Sequence, residues 1–162
     1  MKKINAKDLV AKIERITKER MAKDDVISFE DLKKLKSKAS QFTLLIIEDD
    51  ETVRGVLKRV FEREDYKVLV ASDGTQLSSV LDGASIDLII LDIGLPWING
   101  FELAELMKQH EDLSDIPLIF ISGMNSKEDI KRGFEVGADD YITKPFDLEK
   151  IKKAVKTLIQ IS

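Results

Sequence analysis

The sequence predicts an α/β fold: a doubly wound, five-stranded parallel sheet, preceded by a short helical N-terminal extension. Short apolar runs such as TLLII, LIIL and PLIFI do not alternate with polar residues, which is typical of strands buried on both faces. Between these runs, apolar residues recur at the spacing of amphipathic helices. Strands that alternate with helices in this way form a parallel sheet covered by helices on both sides.

Five strands and five helices are predicted after the extension. The strands are expected at Thr43–Ile47, Lys67–Ala71, Leu88–Leu91, Pro117–Ile121 and Tyr141–Thr143. Four helices carry apolar stripes, namely Val53, Val56, Leu57, Val60 and Phe61; Leu77, Val80 and Leu81; Leu103, Leu106 and Met107; and Leu148, Ile151, Val155, Leu158 and Ile159. The remaining helix, between the fourth and fifth strands, is expected to begin after an N-cap at Ser126.

Charge divides the chain into a basic extension, residues 1–41, and an acidic α/β domain, residues 42–162. Twelve Lys and Arg stand against seven Asp and Glu in residues 1–40, whereas the rest of the chain has fourteen against twenty-three. We expect the extension to pack on its own domain, on a second copy of the chain or on an acidic partner. DNA binding by the extension is a lesser alternative, because its lysines do not form an obvious recognition helix.

Two helices are predicted in the extension. The first spans about Ala6 to Ala22 and the second begins at Ser28. Helices of this length are marginally stable alone, so each needs a surface to pack on. The apolar stripes that would pack are narrow and consist of Leu9, Ile13 and Ile16 in the first helix and of Leu32 and Leu35 in the second.

Composition excludes several classes of protein. The 162 residues include no cysteine, which rules out disulfides, zinc–thiolate sites and thiol nucleophiles. The one histidine, His110, cannot build a multi-histidine metal site and is expected at the surface. Neither a secretory signal nor a run of about 18 apolar residues occurs, so we expect a cytoplasmic protein without a membrane span. A net charge of −4 is too mild for a general nucleic-acid binder.

Polar residues follow four of the five predicted strands. The acidic run Glu48–Asp50 follows the first strand, and Asp92, Ser122 and Lys144 follow the third, fourth and fifth. Ligands of open α/β sheets bind beyond the carboxyl ends of the strands, so these side chains are expected to converge there. The second strand ends without such residues, which suits a strand at the edge of the sheet.

This set of side chains predicts phosphoryl chemistry. Crowded carboxylates repel one another unless a cation lies between them, and oxygen ligands without histidine or cysteine favour a hard ion such as Mg²⁺. A lysine opposite that ion would pair with an anion. A divalent cation, a lysine and a hydroxyl around one carboxylate are what phosphoryl transfer to an aspartate requires, and the predicted acceptor is Asp92.

Four stretches resemble the receiver domain of two-component response regulators. They are LLIIEDDETVR, IDLIILDIGLPWINGFEL, PLIFISG and GADDYITKPF. The resemblance covers about Thr43 to Ile161, and 43, 30 and 22 residues separate Asp49, Asp92, Ser122 and Lys144 in turn. It implies the flavodoxin-like strand order 2-1-3-4-5.

The resemblance also implies roles for individual residues. Asp92 would be the phosphoacceptor, and Glu48, Asp49, Asp92 and the backbone carbonyl of Gly94 would hold Mg²⁺. Ser122 would hydrogen-bond the phosphoryl group. These roles make the chain a phosphoprotein that transfers a signal, with at most weak self-dephosphorylation, and not an enzyme.

A second group of implied roles concerns switching. Lys144 would pair with the phosphoryl group and precede a cis Pro145. Tyr141 would swing inward when Ser122 moves toward the phosphate. The face formed by the fourth helix, fifth strand and fifth helix of the domain would then engage a downstream protein. Because the sequence ends after the fifth helix, we expect a stand-alone receiver. Its phosphodonor is expected to be a histidine kinase or a histidine phosphotransfer protein. We also expect that the chain could form a homodimer through this face or through the extension.

Three positions depart from the commonest pattern of the family. Trp97 stands where glycine is frequent, Asn99 where aspartate is frequent and Gly123 where alanine is frequent. None removes a site residue. Trp97 is expected to be exposed and to shape access for a phosphodonor, and Gly123 to loosen the loop after Ser122.

The same residues allow other interpretations. A haloacid-dehalogenase-type phosphatase needs a second acid where Gly94 stands, and a flavodoxin-like electron carrier needs a Ser/Thr/Gly-rich loop where EDDE stands. Tyr141 is alternatively a strand tyrosine with a solvated hydroxyl, and Ser122 a helix N-cap. The alternative function is a pseudo-receiver, a binding module that keeps the fold without the phosphate switch and whose N-terminal arm mediates dimerisation or partner binding.

Overall fold

The computed structural model describes residues 6–22 and 41–161, and the chain divides between Gln41 and Phe42 into two units. In the first unit, helix α1 spans Ala6–Ala22, as predicted. Leu9 is buried and Ile13 half-buried on its predicted stripe. The side chain of Ile16 and the helix expected from Ser28 lie outside the described residues.

The second unit is a five-stranded parallel sheet covered by five helices, in the strand order β2-β1-β3-β4-β5. The predicted fold class and strand order are therefore confirmed. The strands are β1 (Thr43–Ile47), β2 (Lys67–Ala71), β3 (Leu88–Asp92), β4 (Leu118–Ser122) and β5 (Asp140–Thr143). The helices are α2 (Glu51–Arg63), α3 (Gly74–Gly83), α4 (Gly100–Gln109), α5 (Lys127–Glu135) and α6 (Leu148–Ile161).

Two hydrophobic cores lie on the two faces of the sheet. Successive residues of a strand point to opposite faces, so Leu44 and Ile46 of β1 belong to one core, with α2 and α6. Leu45 and Ile47 belong to the other, with α3 and α4. All residues of β1, β3 and β4 are buried, which explains why their sequences show no alternation.

The strand boundaries differ from prediction at the carboxyl edge of the sheet. Asp92 pairs with Ile121, and Ser122 pairs with Thr143. Both polar residues therefore end strands instead of starting loops, because their backbones continue the ladder although their side chains are polar. At the other edge β4 begins at Leu118, one residue later than predicted.

Local hydrogen bonds begin the helices. Asp50, Asp73 and Asn99 cap α2, α3 and α4, each by accepting a hydrogen bond from a backbone N–H in the first turn. The predicted N-cap of α5 is confirmed, since the Ser126 side chain accepts from the Asp129 N–H at 3.1 Å. Ser122, the alternative N-cap, is the last residue of β4.

One residue of a predicted apolar stripe does not face the core. Leu106 of α4 is 57% exposed, whereas Phe101, Ala104 and Met107 are buried. The core-facing side of α4 runs through the small Ala104, and Leu106 lies well outside that arc because successive helical residues are rotated by about 100°. Among the described residues, no helix is both long enough and apolar enough to cross a membrane.

Two leucine truncations test this packing. Leu57 of α2 is fully buried, while Leu106 of α4 is largely exposed. We expect Leu57→Ala to lower the free energy of unfolding by about 2–5 kcal/mol and Leu106→Ala to change it by less than about 1 kcal/mol. Both variants replace a helical leucine by alanine, so the difference between their free energies of unfolding in urea reports the effect of burial alone. Equal losses would contradict the assignment of Leu106 to the surface.

Candidate functional site

The predicted site residues converge at the carboxyl ends of four strands. Glu48 follows β1, Asp92 and Ser122 end β3 and β4, and Lys144 follows β5. Parallel pairing brings these ends to one edge of the sheet. The edge strand β2 contributes only backbone here, since the Ala71 carbonyl accepts a hydrogen bond from the Glu48 N–H at 3.2 Å.

Three carboxylates form a cluster at this edge. Oxygen atoms of Glu48, Asp49 and Asp92 lie within 4.8 Å of one another. Glu48 is fully buried and Asp92 nearly so, whereas Asp49 is exposed. The cluster is therefore a pocket of hard oxygen ligands with one side open to solvent.

Hydrogen bonds between side chains and backbone groups hold the loop that carries Glu48 and Asp49. One guanidinium nitrogen of Arg54, Nη1, donates to the carbonyl oxygens of Glu48 and Asp49, at 3.0 and 3.1 Å. The Asp50 N–H donates to Glu48 Oε1 at 3.1 Å. These bonds fix the direction of the acidic loop against the mutual repulsion of its side chains.

Lys144 contacts two of the acids. Its ammonium Nζ is 3.0 Å from Glu48 Oε2 and 3.5 Å from Asp92 Oδ2. Its backbone N–H donates to the Ser122 carbonyl at 2.7 Å, and the Lys144–Pro145 peptide bond is cis, as the resemblance implied. One ammonium group therefore pairs with two of the three carboxylates in the cluster.

Burial and neighbouring charges shift the pKa values of Glu48 and Lys144. Burial raises the pKa of Glu48 to about 7, and the neighbouring Asp92 acts in the same direction, against hydrogen bonds from the Asp50 N–H and Lys144. Burial lowers the pKa of Lys144, but the Glu48 and Asp92 carboxylates outweigh it, so the net shift is upward. The pocket therefore disfavours ionisation of Glu48 and favours the charged form of Lys144.

Asp92 uses its two carboxylate oxygens differently. Oδ1 accepts a hydrogen bond from the Gly94 N–H at 3.1 Å, while Oδ2 faces Lys144. The role predicted for the Gly94 carbonyl as a metal ligand stays a prediction.

Ser122 and Tyr141 meet at the loop after β4. Ser122 is buried, and its Oγ accepts from the Met124 N–H at 3.0 Å. The Tyr141 hydroxyl donates to the Met124 carbonyl at 2.5 Å. Tyr141 is only 8% exposed, and burial raises its pKa, an effect that the nearby Ser122 hydroxyl partly offsets. Tyr141 lies in β5, as its alternative interpretation as a strand tyrosine has it, but its hydroxyl is bonded to the Met124 carbonyl instead of to solvent alone.

Trp97 is not the exposed aromatic that was expected. It is half-buried and packs against the core beneath α3 and α4. A Cβ atom at Gly74 would lie 3.4 Å from its ring, so Trp97 covers the start of α3. Its buried indole N–H has no hydrogen-bond partner among the described residues. His110 is exposed, as predicted.

Arg54 is a site residue that the sequence patterns did not reveal. Its position in the sequence could have indicated a role, because a basic residue in the first turns of a helix is unfavourable near the positive end of the helix dipole. Such a residue needs a local acceptor, and the acidic loop just before α2 supplies two carbonyl groups.

The second unit is similar to known proteins. A family model described as "Response regulator receiver domain" matches residues 44–156. The chain is 38% identical over 116 residues to the aerobic respiration control protein ArcA of Escherichia coli K12, covering 72% of this chain and 48% of that protein. It is 36% identical over 118 residues to the phosphate regulon transcriptional regulatory protein PhoB of Pseudomonas aeruginosa, covering 73% and 52%. The chain spans about half the length of these curated relatives.

A solved structure shares the fold of the second unit. The non-phosphorylated HemR receiver domain of Leptospira biflexa matches with a TM-score of 0.69 and 32% identity. The match covers 75% of this chain and 97% of that one.

Removing the buried charge of Glu48 should stabilise the protein at high pH. The folded-state pKa of about 7 exceeds the ordinary value of 4.5, so the contribution of Glu48 to stability is greatest at low pH and is lost as the pH rises through about 7. Without metal, we expect Glu48→Gln to be more stable than the wild type at about pH 8, by up to about 3 kcal/mol.

Urea unfolding with a chelator at about pH 8 and pH 5 measures this difference, which should shrink at the lower pH. The exposed Glu105→Gln serves as the control and should show no such trend. A Glu48→Gln variant less stable than the wild type at pH 8 would mean that the ion pair with Lys144 outweighs burial.

Proposed function

Because the chain belongs to the response regulator receiver family, we propose that it accepts a phosphoryl group on Asp92, with Mg²⁺, from a histidine kinase or histidine phosphotransfer protein. The observation that carries this proposal is the surroundings of Asp92. Its carboxylate lies in the three-acid cluster and 3.5 Å from the Lys144 ammonium. A strand-end carboxylate that lies beside both an acidic cluster and an ammonium group supports a role as acceptor in phosphoryl transfer.

The pocket fits Mg²⁺ by its chemistry. Its side-chain donors are carboxylate oxygens, and one of these residues, Asp49, is exposed, which leaves room for the waters that Mg²⁺ retains. Glu48, Asp49 and Asp92, together with the Gly94 carbonyl, would hold the ion. When bound, Mg²⁺ neutralises negative charge on the phosphoryl oxygens and on the carboxylates.

The residues of the chain supply the remaining parts of the transfer. An Asp92 carboxylate oxygen attacks phosphorus, the bond between phosphorus and the donor breaks, and the donor leaves with the bonding electron pair. Lys144 pairs with a phosphoryl oxygen. Ser122 Oγ already accepts from the Met124 N–H, so its own proton is available for donation to the phosphoryl group.

The output is proposed to be a change of protein contacts. Tyr141 and Ser122 both bond to Met124, so a movement of Ser122 toward the phosphate is passed to β5. The surface formed by α5, β5 and α6 would then engage a downstream protein target or a second copy of the chain. The chain acts as a signal-transfer phosphoprotein with at most weak hydrolysis of its own aspartyl phosphate.

The alternative is a binding module of the same fold. It is favoured by the charge difference between the basic residues 1–40 and the acidic remainder, which suits dimerisation or partner binding through the extension. Asp92 labelling separates the two functions.

Substitution of the proposed acceptor tests the function directly. We expect the wild type to acquire radiolabel from a phosphorylated histidine kinase or from labelled acetyl phosphate only with Mg²⁺, and Asp92→Asn to acquire none, because an amide is not a nucleophile here. The exposed Asp112→Asn should label like the wild type. Label on Asp92→Asn would refute the acceptor, and an unlabelled wild type would favour the binding module.

Metal binding is tested with two adjacent aspartates. We expect Asp49→Asn to weaken Mg²⁺ binding by about tenfold or more, the equivalent of about 1.4 kcal/mol, because it removes a ligand. Asp50→Asn removes the same charge one residue away, and asparagine caps helices as well as aspartate does, so it should have a much smaller effect. Titration calorimetry measures both. Equal weakening would show diffuse attraction instead of a ligand site.

A further inference from the structure

Gly133 lies in the last turn of α5 and is buried. A Cβ atom at this position would lie 2.6 Å from Tyr141 Cδ2 and 3.0 Å from Tyr141 Cε2, with Phe120 Cδ2 at 3.3 Å. Carbon atoms that are not bonded do not approach to 2.6 Å. The Tyr141 ring therefore occupies space that exists only because residue 133 has no side chain.

The ring in this space is connected to the candidate site. Its hydroxyl donates to the Met124 carbonyl, and the Met124 N–H donates to Ser122 Oγ. The Tyr141 and Phe120 ring centroids are 6.0 Å apart, so the ring also packs on β4. A continuous set of contacts runs from Gly133 on α5 through Tyr141 to Ser122.

Glycine is a poor residue for the interior of a helix, because its backbone is the most flexible in the unfolded chain. Another glycine inside a helix, Gly55 of α2, would have nothing within 4 Å of an added Cβ atom. Alanine would be accommodated there and should improve the helix. At Gly133 an added Cβ atom would collide with the Tyr141 ring, so alanine is expected to destabilise the protein there.

We propose that Gly133 is a positioning residue: its missing side chain admits the Tyr141 ring, and the ring in turn holds the loop that carries Ser122. The link to phosphoryl transfer rests on the proposed function, whereas the contact between Gly133 and Tyr141 does not. Because coupling is reciprocal, displacement of α5 by a bound protein would also change the room for Tyr141 and the position of Ser122.

Thermal unfolding of the full chain tests the contact. We expect Gly55→Ala to raise the unfolding midpoint and Gly133→Ala to lower it by roughly 2–6 °C, because the added methyl overpacks against the ring. In a Tyr141→Ala background the ring is absent, and Gly133→Ala should then raise the midpoint as Gly55→Ala does. If Gly133→Ala fails to fold while the double variant folds, the proposal is supported.

Two outcomes of this cycle would overturn the proposal. In the first, Gly133→Ala would raise the unfolding midpoint although Tyr141 is present. In the second, Gly133→Ala would lower the midpoint equally with and without the Tyr141 ring. A Gly133→Ala chain that fails to fold in both backgrounds belongs with the second outcome.

Two further measurements separate positioning from a merely structural role. In a Tyr66→Phe background, Tyr141 is the only tyrosine, and ultraviolet titration should show that Gly133→Ala returns its pKa toward the ordinary value, since the ring leaves its buried position. An unchanged titration would contradict the proposal.

The second measurement is the initial rate of labelling by acetyl phosphate with Mg²⁺. Gly133→Ala should slow it severalfold relative to Gly55→Ala, because Ser122 is no longer held, and equal rates would overturn the link to the site. A wild type that does not label would instead refute the proposed function, while the unfolding cycle would still decide the contact.

Discussion

The contact of one ammonium group with the two buried acids of a three-carboxylate cluster is the interaction on which the rest of the site depends. Glu48 and Asp92 are buried at the edge of the sheet, and Lys144 is the ammonium group that contacts both. In a flexible chain these carboxylates would move apart and into water, because burial and mutual repulsion both disfavour their charged forms. Strands buried on both faces hold the acids in place, and the excess charge leaves the pocket suited to a divalent cation and a phosphoryl group.

Hydrogen bonds at the same edge of the sheet connect Ser122 in the candidate site to Tyr141, which packs against α5. Met124 follows β4, and its backbone bonds both Ser122 and Tyr141. Tyr141 reaches that bond only across the bare backbone of Gly133. In the proposed function, a change at Asp92 and a change at α5 would act on one buried ring, so that a small movement of the Ser122 hydroxyl would alter the surface formed by α5, β5 and α6.

Sequence patterns predicted the elements better than they predicted exposure. The fold class and the Ser126 cap were confirmed because they depend on local periodicity and on a local side chain, whereas the confirmed strand order was implied by the resemblance to the receiver family. Leu106 and Trp97 were assigned to the wrong environments because the exposed arc of a short helix and the path of a loop depend on neighbouring elements. The inward position of Tyr141 depends on a residue in another element, Gly133.

The sequence by itself determined the family, the parallel sheet and which residues stand at its carboxyl edge, because apolar runs, helical stripes and motif spacings are properties of the linear chain. Only the tertiary structure decided how those residues are used. The raised pKa of Glu48, the two contacts of Lys144 and the bonds of Arg54 to the acidic loop arise from burial and distance. Burial and distance come from packing between strands and helices that are remote in sequence, and linear patterns do not contain them.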